Sequence, residues 1–98
     1  MTVIDLFNLG NKYQNDGNIG MAMNTWAECT KMDPNFGPAY INMYNNHRAQ
    51  NNLAAAKECL NKFANCPLTM NTLDMVPTVK KELADIEAKL KPQPAATK

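Results

Sequence analysis

Ninety-eight residues with ten basic and nine acidic side chains, a formal net charge of +1, allow one domain at most and give no long-range field for nucleic acid or an anionic membrane. A chain this short buries only about 60 % of its unfolded surface, so few side chains must supply the core. Cys29, Cys59 and Cys66 cannot all pair within one chain, and their helical, apolar neighbours mark reduced thiols in a cytoplasmic setting.

The first residues, "MTVIDLFNLGNKY", hold neither a basic run nor a long apolar run, and no apolar stretch is long enough to cross a bilayer, so a soluble, unprocessed chain is expected. Ile4, Leu6, Phe7, Leu9, Gly10 and Tyr13 recur by threes and fours, the period of an amphipathic helix. "NDGNIG" then offers Gly17 as a left-handed C-cap and Asn18 as the N-cap of a second helix. In that helix Ala22, Trp26, Cys29 and Met32 form the apolar stripe, until Asp33-Pro34 ends it, because the residue before proline avoids the helical region.

The plan then repeats. Tyr40, Met43, Tyr44 and His47 share one face of a third helix, and Leu53, Ala56, Leu60, Phe63 and Cys66 one stripe of a fourth. Asn8/Asn42, Asn11/Asn45, Asn18/Asn52 and Ala22/Ala56 are identical pairs, all at the same offset. The closing segment carries Val76, Val79, Leu83, Ile86 and Leu90 on one stripe, with charged residues elsewhere. Pro77 belongs to its first turn and Asp74 is a candidate N-cap. The tail from Pro92 to Lys98 has no core residues and is expected to be disordered.

A helix-turn-helix of about 34 residues with Leu6, Leu9-Gly10, Tyr13, Ala22, Trp26 and Pro34 resembles the tetratricopeptide repeat, with Leu6 replacing the opening aromatic and Trp26 in the phenylalanine position. Tyr40, Met43, Tyr44, His47, Ala56, Leu60 and Leu68 make a divergent second copy, with Pro67 one place early and Tyr44 where the family has its small glycine. Either the second pair of helices is splayed or Tyr44 points towards the segment after the hairpin. The resemblance implies an all-α, right-handed stack of two helical hairpins, repeat one at 3–36 and repeat two at 37–70, closed by a capping helix at about 72–91.

The physical reason for the pattern stands beside the resemblance. Helices joined by a short turn cross closely where Gly10, Ala22 and Ala56 are small, and Tyr13, Trp26, Tyr40 and Phe63 fill the space around them. The proline-rich joint "MDPNFGPAY" ends one hairpin and redirects the chain into the next.

Groups for catalysis are scarce. His47 is the only histidine and occupies the place that Tyr13 holds in the first copy, which favours packing over metal binding. The cysteines lie on or beside apolar stripes with no cation arranged to activate them, and Met32 and Met43 read as core filling. No catalytic, metal-binding or cofactor-binding residues are expected.

The resemblance implies instead a concave face made by the first helix of each repeat, here Ile4, Phe7, Asn11, Gln14 and Asn15 with Ile41, Asn45 and Arg48. Asparagine is a poor helix former, so Asn11 and Asn45 ask for a reason. One is hydrogen bonding to an extended peptide, and the other is a chain in which 14 of 98 residues are asparagine. The surface offers apolar contact, two amides and one cation, fitting an extended segment with apolar side chains and room for one carboxylate. The lysines of the family's carboxylate clamp have no counterpart, since Phe7 and Ile41 hold those positions. A non-enzymatic module for another protein or peptide is therefore expected. The alternatives are a homodimer joined through open repeat faces and, more remotely, a thiol-redox protein.

Overall fold

Thr2 opens the first helix, α1 (Val3–Asn15), with a reciprocal cap: the Thr2 hydroxyl accepts from the Asp5 amide and the Asp5 carboxylate accepts from the Thr2 amide, both at 3.1 Å. Gly17, at φ 82°, turns the chain, and the Asn18 side chain accepts from the Met21 amide to start α2 (Ile19–Met32). α2 ends at Asp33, before Pro34. After the joint come α3 (Gly37–Ala49) and α4 (Leu53–Ala64), then a 3-10 turn, Leu73–Met75, running into α5 (Val76–Leu90).

The computed structural model describes residues 2–67 and 72–90, which form an all-α protein of five helices, each packed on the next in chain order. The proposed tail at 92–98 and Leu68 lie outside the described residues. No helix among those described is long and apolar enough to cross a membrane.

The two hairpin turns share their hydrogen bonding. Asn18 N–H donates to Tyr13 C=O and Asn52 N–H to His47 C=O, each at 2.8 Å, and both donors and both acceptors lie at the same sequence offset. Within the first hairpin Trp26 Nε1 donates to the Phe7 carbonyl at 3.4 Å and the Cys29 thiol approaches the Val3 carbonyl at 3.7 Å, fixing α1 and α2 antiparallel. Trp26 is 2 % exposed and lies directly on Gly10. The second hairpin buries Tyr40, Tyr44, Ala56, Leu60 and Phe63, and α5 completes that core with Val79 and Ile86. Met43 touches both clusters and joins them.

Of the two outcomes open to Tyr44, it points towards α5, where its hydroxyl donates to the Glu82 carboxylate. Two local expectations change. Met32 is 51 % exposed rather than core, because it is the last residue of α2, beyond the reach of α1. Asp74 lies inside the 3-10 turn and does not cap α5, whereas Pro77 does occupy its first turn.

Candidate functional site

α1, α3 and α5 lie side by side and parallel. Asn42 Nδ2 donates to Asn11 Oδ1 and Asn46 Nδ2 to Gln14 Oε1, both at 2.9 Å, so the partners advance in the same sense along α1 and α3. The same reasoning orients α5: Tyr44 meets Glu82, and one turn later Arg48 Nη2 meets Asp85 Oδ2 at 2.6 Å. The seam between the first two helices is thus built of neutral amides and that between the last two of charges.

Two cavities open on the α1/α3 surface. One, of about 450 Å³, is mainly apolar and is formed by Ile4, Phe7, Phe36, Pro38, Ile41 and Met75, with Asn8 and Asn42 at its edge. The Phe7 and Phe36 rings meet edge to face, centroids 5.3 Å apart, and form its wall. The other, of about 380 Å³, is lined by Asn11, Gln14, Asn15, Asn42, Asn45 and Trp26. Asn42 lines both, so the cavities are neighbours along the α1/α3 groove.

Of the expected face, Ile4, Phe7 and Ile41 line the apolar part, and Asn11, Gln14, Asn15 and Asn45 the amide part. Arg48 is elsewhere. It pairs with Asp85, lies 3.5 Å from Glu82 and donates to the Tyr44 hydroxyl at 3.3 Å, so the groove's expected cation is engaged by α5. Burial, then Glu82, pushes the Tyr44 phenol up to about 12, and the Arg48 hydrogen bond, despite some opposing desolvation, holds the Asp85 carboxyl below the usual range.

Asn42, Phe36, Pro38 and Met75 complete the groove and were not foreseen. Asn42 had a signal, since Pro38, Asn42 and Asn46 follow one another by four on α3. Asn46 is buried beneath the surface, also 3.5 Å from the Met23 sulfur.

The remaining reactive side chains are packed away. Burial raises the thiols of Cys29 and Cys66 and pushes that of Cys59 up to about 11, which suppresses thiolate formation. His47 is half-buried, and its Nδ1 has no hydrogen-bond partner among the described residues. Among the described residues no three His, Cys, Asp or Glu side chains gather into a metal-binding group. No protein-family model matches the sequence, and no curated protein matches it.

Proposed function

We propose that this chain is a non-enzymatic protein-interaction module of tetratricopeptide type, a right-handed stack whose α1/α3 groove holds an extended segment of a partner. The observation that carries the reading is that an apolar and an amide cavity lie side by side on the α1/α3 surface and share Asn42. Apolar walls supply the driving force, and side-chain amides take up the hydrogen bonds that an extended backbone brings with it. The shared geometry of the two hairpin turns supports the repeat reading.

The test is selection from a displayed peptide library, followed by Ile4→Glu and Asn45→Arg. Both side chains are exposed, so the variants should keep their helicity while losing the selected peptides. Undiminished binding by both variants would place the site elsewhere.

Self-association is the second reading, favoured by Met21 and Met32, which lie on one stripe of α2 at 42 % and 51 % exposure. Sedimentation over a hundredfold concentration range distinguishes the two: a homodimer would lose mass on dilution, and Met21→Lys would abolish it.

A further inference from the structure

Not one of the described residues lining either part of the groove carries a charge. The nearest candidate cation on α3, Arg48, is already held by two carboxylates and a phenol of the α3/α5 seam. We infer that the groove selects an uncharged extended segment: one bulky apolar side chain between Phe7 and Ile41 and, about two residues further along, an amide set against Asn11, Asn42 and Asn45. This rests on the groove reading above and specifies its ligand.

The spacing comes from α1. Phe7 and Asn11, like Ile41 and Asn45, are four residues apart, which is about 6 Å along a helix axis, or two residues of extended chain at about 3.3 Å each, whose side chains share a face. The amides are fixed in advance. Asn11 and Asn42 hold each other at 2.9 Å, and that bond uses one oxygen and one N–H of groups that each offer two acceptor sites and two donors. A segment therefore meets donors and acceptors whose rotamers are already set, which reduces the ordering cost of binding.

The same lining rejects charge. A carboxylate or ammonium entering the amide part meets neutral dipoles and no counterion, so the hydration it gives up is returned only by amide hydrogen bonds. An acidic segment gains nothing from Arg48 unless it displaces Asp85 and Glu82, which sit at 2.6 and 3.5 Å. The carboxylate that the sequence left room for thus has no place here.

The experiment uses fluorescent octapeptide pools, acetylated and amidated to remove terminal charge. One position carries Leu, Phe or Met, the second position after it carries Asn or Gln, and the rest are Ala, Ser or Thr. Matched pools carry Asp or Lys at that second position. Anisotropy should show saturable binding of the neutral pool and affinities about tenfold or more weaker for both charged pools. Asn45→Asp, an exposed change, should recover the lysine pool and not the aspartate pool. Equal or tighter binding of a charged pool by the native chain, abolished by Ile4→Glu, would overturn the inference and leave the groove in place. Neutral-pool binding that survives both Ile4→Glu and Asn45→Asp would overturn the groove itself. Failure of all pools would overturn the inference, with the displayed-library selection then deciding the groove.

Discussion

Gly17 and Asn51 occupy equivalent places in the two hairpin turns and hold the same left-handed backbone, φ 82° and 60°, each directly before the residue that starts the next helix. Asparagine tolerates this region better than other side-chain-bearing residues, and glycine better still. Asn51→Gly should therefore stabilise by about 0.5 kcal/mol, and Asn51→Ala should destabilise by about 1 kcal/mol. In thermal unfolding the alanine variant should melt about 4–8 °C lower. Equal melting temperatures for the two variants would contradict the left-handed turn.

Gly10 cannot accept a methyl group. A Cβ there would lie 2.4 Å from Trp26 Nε1 and 2.6 Å from Cδ1, against a ring only 2 % exposed. Alanine gains about 1 kcal/mol in helix propensity, but displacing the indole costs about 1–3 kcal/mol and breaks its bond to the Phe7 carbonyl. Gly10→Ala should lose about 1–2 kcal/mol, with a red-shifted tryptophan emission. Gly20, with nothing within 4 Å of its Cβ position, is the control, and Gly20→Ala should gain stability.

Asn45 and Asn46 are neighbours with different work. Asn46 is 8 % exposed and bonded to Gln14, so Asn46→Ala should cost about 1–2 kcal/mol in urea unfolding. Asn45 is exposed in the groove, so Asn45→Ala should raise the urea midpoint slightly, by the roughly 0.5 kcal/mol that alanine gains in helix propensity, while weakening any ligand. The reverse ordering would mean that the amide seam does not hold α1 to α3.

Asp85 links stability to acid. Its folded carboxyl is held below the ordinary value, chiefly by the Arg48 hydrogen bond, so the unfolded chain takes up its proton first as pH falls. The stabilisation is complete above the unfolded value, near 3.9, and is lost as pH falls through the folded one. Asp85→Asn should therefore be less stable than the parent at pH 7 and lose less on going from about pH 5 downwards. Parallel acid curves for the two proteins would remove Asp85 from the seam.

The thiols supply a test of the redox alternative. With Cys59 pushed up to about 11 and Cys29 and Cys66 also raised by burial, a disulfide reagent at pH 8 should react only as fast as the helices open. Rates should rise steeply in urea. One cysteine reacting within seconds in the native protein would restore the redox reading.

The hairpins were legible because their rules are local. Gly10, Tyr13, Ala22 and Trp26 sit at helical spacings, and their burial follows from the period. The seams were not legible for a geometric reason. A repeat pattern equates positions such as Asn11 and Asn45, yet the amides that bond lie at the shorter separations of 31 and 32, Asn11 with Asn42 and Gln14 with Asn46. Residues opposite one another across parallel helices need not be repeat equivalents. Arg48 was assigned to the groove because nothing near it in sequence reveals Asp85, 37 residues on. Met32 lies on the right stripe, but the stripe carries no information about where the neighbouring helix stops.

The two seams also give the molecule a direction. Dissolved salt shortens the reach of charges to about 3 Å at 1 M, which weakens the 3.5 Å Arg48–Glu82 pair at the α5 side while leaving the Asn11–Asn42 amides untouched. Ionic strength is then a lever that acts on one end only. Rising salt should speed amide hydrogen exchange in α5 and leave the α1 protons at their former rate, so the chain frays from its last helix inward and the amide part of the groove, built on α1 and α3, is what persists.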